Sequence, residues 1–170
     1  MMRRMRKTIF AALLLLIAAL PVLGQASTPE KRRWAVDTTR WLENNPLDRE
    51  SKQRAGELLQ WWTEVPDLTL SICPLMLEAK NKKIGPTVVT QALFSTGAYL
   101  IEHPQASRLE QSFAGVQGAL RAYRNALAAD PKMRDKFLDE LVQADNDGKL
   151  LATYVKPAID KCEADEKAKR

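Results

Sequence analysis

The sequence is poor in the residues on which most metal and nucleophilic chemistry depends. It has one histidine, His103, and only two cysteines in 170 residues. Metal sites and acyl-transfer sites draw most of their ligands, bases and nucleophiles from these two residue types. No glycine-rich phosphate loop is present, and His103 directly precedes Pro104 at an expected helix end. These shortages disfavour an enzyme and predict neither a bound metal nor a cofactor.

An excess of charge of one sign is also lacking once the first residues are set aside. The chain has 26 basic and 21 acidic residues, but residues 1–26 contain four of the basic ones and no acid. The remaining 144 residues therefore carry a net charge of +1. Such a balance provides no electrostatic reason to bind nucleic acid or an anionic membrane surface, and neither is expected as a partner.

A hydrophobic run long enough to cross a membrane is missing. The apolar run at residues 9–20 has 12 residues, whereas a spanning helix needs about 20. It follows a basic stretch and precedes Pro21 and the small residues Gly24 and Ala26, an order typical of a bacterial secretory signal peptide. We expect cleavage after Ala26, with Gly24 as the alternative. Residues 27–170 would then form the mature domain, in the periplasm or outside the cell, without stable membrane insertion.

Both cysteines, Cys73 and Cys162, fall in the part of the chain that is expected to be exported. An even number of cysteines in an oxidising compartment indicates a disulfide. Cys73 lies in an apolar stretch, and Cys162 lies at helical spacing from Val155 and Ala158, so both side chains are expected inside. The two are 89 residues apart, unlike the closely spaced thiols of a redox pair. We predict a structural disulfide between them.

Prolines divide the mature sequence into segments of helical length. Within these segments apolar residues recur at intervals of three and four, which indicates amphipathic helices. The predicted helices cover residues 27–44, 48–65, 85–102, 107–129, 130–147 and 149–162, with a kink at Pro157 and a frayed charged tail at residues 163–170. Residues 68–72 alternate as a strand does, but without a second strand they predict an extended connector before a short helix after Pro74. The expected fold is all-α, a single-domain bundle of about six helices.

Three of these segments carry more specific signals. The patterns Ser27-x-x-Glu30 and Ser107-x-x-Glu110 are typical of capping boxes at helix starts. Residues 85–102 are apolar on nearly all sides, which places that helix in the middle of the bundle. Small residues on the helix at 107–129 predict a close approach by a neighbouring helix; they are Gly115, Gly118, Ala119, Ala122 and Ala126.

All four tryptophans, Trp34, Trp41, Trp61 and Trp62, lie within 29 residues. An aromatic surface of this kind could stack on sugars or anchor a partner protein. Alternatively, the four side chains form one end of the core and dock the first helix onto the second. Trp61 and Trp62 point about 100° apart on a helix, and Trp61 is expected to be the most exposed. The four are the candidate partner-binding residues.

One segment resembles the second helix of a tetratricopeptide repeat, through the spacing of Ala119, Tyr123, Ala126 and Pro131. The resemblance implies paired helices that present a peptide-binding groove. It covers only about a dozen residues, and a shift by the repeat length, about 34 residues, recovers no second copy. The residues where the first-helix signature should stand do not fit it.

Two acidic segments resemble parts of known sites. Asp145, Asp147 and Gly148 are similar to part of a calcium loop, but Tyr154 stands where the closing glutamate is required. A helix-ending turn is the expectation there. Glu50 and the residues after it resemble the lytic transglycosylases, exported helical enzymes in which a lone buried glutamate acts as the acid. The spacing here is too short, so Glu50 is expected to be a first-turn acid favoured by the helix dipole.

The sequence therefore predicts an exported, non-catalytic helical protein. It would be a binding or interaction module for an unidentified protein, peptide or cell-wall partner. One alternative is a small cell-wall hydrolase that uses Glu50 as its acid. A second alternative is a carrier that encloses an apolar ligand around Phe94, Phe113 and Tyr123.

Overall fold

The computed structural model describes residues 28–70 and 74–169, and this part of the chain is all-helical, with no β-strand. Its six α-helices are α1 Pro29–Asn44, α2 Ser51–Glu64, α3 Gly85–Glu102, α4 Arg108–Ala129, α5 Lys136–Asn146 and α6 Lys156–Ala168. Two 3₁₀ turns, Pro74–Glu78 and Pro131–Met133, precede α3 and α5, and a π-helical turn, Leu151–Val155, precedes α6. The all-α prediction with six helices is confirmed.

Local signals set the helix starts close to where the sequence places them. α3 begins at Gly85, and Pro86 occupies the first turn, where its missing N–H leaves no bond unmade. At the start of α4, the Ser107 side chain accepts the Glu110 N–H at 3.3 Å, and Glu110 accepts the Ser107 N–H at 2.7 Å. α1 is capped by Thr28, whose hydroxyl accepts the Lys31 N–H at 3.3 Å.

α3 and α4 form the centre of the bundle and pack against each other more closely than any other pair of helices. Two glycines on α4 permit this approach. A Cβ atom on Gly115 would lie 2.8 Å from the Ala92 carbonyl oxygen, and one on Gly118 would lie 2.6 Å from Glu43 Oε1. Both distances are shorter than the contacts that real Cβ atoms make, because α3 occupies the space that a side chain would need at these two positions. The predicted close approach of a neighbouring helix is therefore confirmed.

The buried apolar side chains form two clusters, and α3 contributes to both. The larger cluster joins α3 and α4 to the C-terminal helices and includes Val88, Leu120 and Leu138, each fully buried. The smaller cluster joins α1 and α2 to α3 and includes Leu58 and Phe94. A helix with apolar residues on nearly all sides serves two cores at once, which confirms the predicted central position of α3.

Asp135 ties the connection before α3 to the start of α5. Its Oδ2 accepts the N–H groups of Lys80 and Asn81, each at 2.7 Å, and its Oδ1 accepts the Leu138 N–H at 3.1 Å. Burial raises the pKa of Asp135, but these backbone donors, led by Asn81, outweigh it and hold the pKa below its usual value. The buried Tyr123 hydroxyl donates to Asp139 at 2.6 Å, and burial followed by this bond raises the pKa of Tyr123 to about 12.

The C-terminal third differs from the sequence prediction in two places. Residues 130–147 are not one helix, because Asp135 caps α5 and separates it from the turn at Pro131–Met133. α6 continues through residues 163–168, where a frayed tail was expected, and Glu166 pairs with Arg108 at 2.7 Å. The π-helical turn lies near the expected kink, immediately before α6. Pro157 has no N–H to donate to the carbonyl group four residues earlier, so the regular α-helical hydrogen bond cannot form there.

Some predictions concern residues outside the described part of the chain. These predictions are the signal peptide at residues 1–26, the capping role of Ser27 and the disulfide that includes Cys73. Residues 68–70 have no regular secondary structure, and a short 3₁₀ turn at Pro74–Glu78 follows, where a short helix was expected. None of the described helices is both long enough and apolar enough to cross a membrane.

Candidate functional site

A cavity of about 380 Å³ lies between the start of α2, the start of α3 and the α1–α2 connection; we call it the α2–α3 cavity. α3 lines it with residues at positions i, i+3, i+4 and i+7, which share one helix face: Thr87, Thr90, Gln91 and Phe94. α2 contributes Ser51, Lys52 and Ala55 from the opposite side, and Leu42 and Pro46 complete the apolar part. A pocket of this size, mostly apolar with a few polar groups, has the character of a small-molecule site.

Gln91 is the most deeply buried polar residue on the cavity wall, at 3% exposure. Its Nε2 donates to the Ser95 hydroxyl at 3.0 Å and to the Thr39 carbonyl oxygen at 3.3 Å. Ser95 gives its own proton to the Glu43 carboxylate at 2.7 Å, because a carboxylate can only accept. Because the Ser95 hydroxyl has already donated its proton, it can only accept from Gln91. The Gln91 NH₂ group, and not its carbonyl oxygen, must therefore face Ser95. The Gln91 carbonyl oxygen is left without a donor among the described residues.

Glu43 anchors this arrangement from α1. It is 2% exposed and accepts from Arg121 at 2.9 and 3.1 Å, from Arg40 at 3.1 Å and from Ser95. Asn125 also donates to the Glu43 carbonyl oxygen at 2.9 Å. A buried carboxylate with this many donors holds α1, α3 and α4 in one register, since removal of a partner would leave charge unpaired. The network makes the Gln91 side chain rigid.

Two opposite charges stand at the rim of the cavity. Asp48 lies in the α1–α2 connection, and its Oδ1 accepts the Glu50 N–H at 2.8 Å. Lys52 lies in the first turn of α2, and both side chains are exposed. Neither forms an ion pair with any residue in the described ranges. Thr87 and Thr90 likewise make no hydroxyl hydrogen bond there, whereas Thr96 donates to the Ala92 carbonyl oxygen at 2.8 Å.

The polar and charged residues at this cavity were not predicted from the sequence as part of a site. On α3 the signal was available, because Thr87, Thr90 and Gln91 form a polar stripe on an otherwise apolar helix. Glu43 also carried a signal, since it shares a helix face with Ala35, Thr39 and Leu42, all buried. Asp48 and Lys52 carry no signal, because surface charges of this kind occur throughout the chain.

The tryptophans mark the contact between α1 and α2. Trp61 packs edge-on against Trp34 with ring centres 6.3 Å apart, and against Trp62 with centres 4.8 Å apart. Trp61 and Trp62 are 5% and 9% exposed, so the expectation that Trp61 would be the most exposed was wrong. Adjacent residues are both buried because Trp62 fills the space over Gly97, where a Cβ would lie 2.9 Å from Trp62 Cε2 and closer still to two other atoms of the ring.

Trp34 and Trp41 are half-buried and carry cations over their rings. Lys31 Nζ lies 5.1 Å from the ring centre of Trp34, and the Arg54 guanidinium lies 4.3 Å from that of Trp41. Trp34, Trp61 and Trp62 all contribute to the smaller apolar cluster, as the core alternative expects. A partner-binding role for the four tryptophans stays a prediction.

The other sequence candidates occupy ordinary surface or core positions. Glu50 is exposed and accepts from Arg54 at 2.6 and 3.0 Å. His103 is exposed and stacks on Tyr99 with ring centres 4.2 Å apart. Asp145 pairs with Arg124 at 2.7 Å, beside the positive φ of Gly148 that ends the turn. In the part of the chain that the structure describes, no group of His, Cys, Asp or Glu is arranged to hold a metal ion.

The three residues proposed to enclose an apolar ligand are not brought together. Phe94 lines the α2–α3 cavity and belongs to the smaller cluster. Tyr123 is buried in the larger cluster, and Phe113 packs against that same cluster from its edge. The tetratricopeptide-like residues Ala119, Tyr123 and Ala126 are likewise core residues, between 0% and 1% exposed.

Cys162 lies half-buried on α6, one turn after the buried Ile159. Its expected partner, Cys73, is outside the described residues. Met76, three residues after Cys73, belongs to the same apolar cluster as Ile159. No described residue is bonded to Cys162, and the disulfide stays a prediction.

No protein-family model matches the chain, and comparison with curated proteins and with solved structures finds no significant match.

Proposed function

We propose that the mature chain is an exported, non-catalytic helical binding domain that takes a small ligand into the α2–α3 cavity. The observation that carries this proposal is the carbonyl oxygen of Gln91. It is held rigidly on the cavity wall, and the hydrogen-bond network behind it leaves it without a donor. This oxygen is accessible to solvent on the cavity wall, so a ligand N–H can replace the water that would otherwise donate to it.

The shape of the cavity supports binding of a small molecule. Its volume of about 380 Å³ falls within the range of about 300–1,000 Å³ that is usual for ligand sites. Ala55 and Pro86 provide an accessible apolar surface. Thr87 and Thr90 provide hydroxyls that make no other hydrogen bond within the described residues. Asp48 is the only acid among the described residues that line the cavity, whereas glycoside cleavage generally uses a pair of carboxyl groups. We therefore propose binding rather than catalysis at this site.

Export is proposed from the N-terminal sequence. A basic start, a short apolar run and small residues before the expected cleavage point form the pattern of a secretory signal. An oxidising compartment outside the cytoplasm would also allow the predicted bridge between Cys73 and Cys162.

The experiment is native mass spectrometry of the unreduced protein, purified from the cell envelope of its own host. We expect a retained small-molecule mass on the wild type. Ala55→Leu should abolish it, because Ala55 lines the cavity and the added carbons of leucine would occupy it. The matched control is Gln53→Leu, on an exposed position of the same helix that does not line the cavity.

Two results would contradict the proposal. If the wild-type protein carries no ligand under these conditions, the cavity does not hold a small molecule in the cell and the proposal is wrong. A ligand that Ala55→Leu retains as well as Gln53→Leu does would lie elsewhere on the protein.

A further inference from the structure

We propose that the ligand of the α2–α3 cavity is a zwitterion: an amino acid or short peptide with an apolar side chain. Its ammonium group would lie beside Asp48 and its carboxylate beside Lys52. This inference rests on the proposed function above and adds the chemical class of the ligand. Its basis is one cavity that combines two opposite charges, an apolar wall and an unpaired amide acceptor.

The two charges do not pair with each other in the part of the chain that the structure describes. Asp48 and Lys52 are four residues apart, the same spacing as Glu50 and Arg54, which pair at 2.6 Å. Asp48 and Lys52 do not pair, because Asp48 precedes α2 and its carboxylate accepts the Glu50 N–H instead. Both residues line the cavity, so a cation and an anion on one ligand can each find a partner there.

The wall between these charges matches a peptide group. The Gln91 carbonyl oxygen accepts from an N–H, while the hydroxyls of Thr87 and Thr90 can donate to a carbonyl oxygen. The apolar side chain of the ligand would pack against Ala55 and Pro86. A ligand lacking the N–H donor would leave Gln91 unpaired, so this residue discriminates between ligands of equal size.

Two sources share this chemistry, a free amino acid and a short peptide. A second cavity, of about 490 Å³, shares Pro86 and Thr90 with the first and is lined by the apolar residues Met76, Leu77 and Val89. Because the two cavities share these lining residues, we expect a peptide to reach further toward the second one than a single amino acid does. The relative affinities of the two ligand types therefore show which source the site serves.

The test is isothermal titration calorimetry at low salt with five probes. They are L-leucine, L-alanyl-L-leucine, the N-acetylated dipeptide, the dipeptide amide and the dipeptide blocked at both ends. We expect the free dipeptide to bind more tightly than either singly blocked form by about two- to fivefold, the usual effect of one exposed charge pair. Dipeptide binding stronger than that of leucine would assign the site to peptides, and the reverse order would assign it to amino acids.

Charge-removing variants identify which residue meets which end of the ligand. Lys52→Gln should weaken the free dipeptide but not its amide, because the amide has already lost the carboxylate. Asp48→Asn should weaken the free dipeptide but not the N-acetylated form, and asparagine keeps an acceptor for the Glu50 N–H. Thr90→Val should lower affinity about two- to tenfold through the lost hydrogen bond. The control is Lys149→Gln, an exposed lysine that lines neither cavity, which should leave dipeptide affinity unchanged.

The outcomes separate this inference from the proposed function. If the doubly blocked dipeptide binds as tightly as the free one, the site binds ligands but the zwitterion assignment fails. The assignment also fails if no probe binds while native mass spectrometry shows a different retained molecule. If no probe binds and no molecule is retained, both the ligand class and the binding function are wrong.

Discussion

Gly118→Ala tests the contact on which the cavity wall depends. Gly118 lies on the buried face of α4, and a Cβ there would be 2.6 Å from Glu43 Oε1 and closer still to Ser95. Overpacking of this kind costs about 1–3 kcal/mol. Displacing the 2.7 Å hydrogen bond from Ser95 to Glu43 adds about 1.5–3 kcal/mol, because the acceptor is charged.

The same substitution also has a favourable term. Alanine is better than glycine in a helix interior by about 1 kcal/mol, so the net expectation is a loss of about 1.5–5 kcal/mol from these three terms. The matched control is Gly56→Ala on α2, where nothing lies within 4 Å of the added Cβ. There only the helix-propensity term acts, and we expect a gain of about 0.5–1 kcal/mol.

Urea unfolding of the mature domain at neutral pH measures both free energies. Gly118→Ala should lower the midpoint without a large change in the slope, and Gly56→Ala should raise it. Because Gln91 is positioned through Ser95, Gly118→Ala should also weaken ligand binding, while Gly56→Ala should not. If Gly118→Ala is neutral or stabilising, the close packing of α3 on α4 described above is wrong.

Three further predictions concern export, the disulfide and pH. The secreted chain should begin at Ser27, which an intact mass or N-terminal sequencing determines; any other start contradicts the expected cleavage. Its mass should rise by two hydrogens on reduction, and reduction should lower Tm because losing such a bridge costs about 2–5 kcal/mol; an unchanged mass would mean free thiols. Asp135→Asn should lower stability at pH 7 by about 1.5–3 kcal/mol through weakened charged hydrogen bonds. Because the folded-state pKa of Asp135 is depressed, its stabilisation is present above the unfolded pKa and is lost as pH falls through the folded value. The difference between wild type and variant in unfolding free energy should therefore shrink below about pH 4, and a difference that is constant with pH would contradict the assigned role of Asp135.

The helical elements were predictable because their signals are local. Pro86 at the start of α3 and the Ser107–Glu110 capping box at the start of α4 act within one turn of chain. The division at Asp135 was missed because this residue caps α5 while also bonding Lys80 and Asn81, which are more than 50 residues away in sequence. Apolar periodicity alone cannot report a contact of that kind.

The burial of charged and aromatic residues was likewise predictable only in part from the sequence. The clustering of tryptophans in the sequence indicated that α1 and α2 dock through aromatic side chains, as the contacts of Trp34 and Trp61 show. Which of Trp61 and Trp62 would be exposed depended on the space above Gly97, which belongs to another helix. Glu43 is buried only because Arg121 and Ser95 reach it from α4 and α3.

Local sequence signals account for the helical class, most helix starts and the central place of α3, since propensity, capping and periodicity act over a few residues. Where a cavity forms, and which groups line it, depends on how the helices pack. Gln91 carries an unpaired acceptor because Ser95 and Thr39 use its amide nitrogen, and Asp48 comes near α3 only through the packing of α2. A site assembled from separate helices depends on distances that no single segment of the chain encodes.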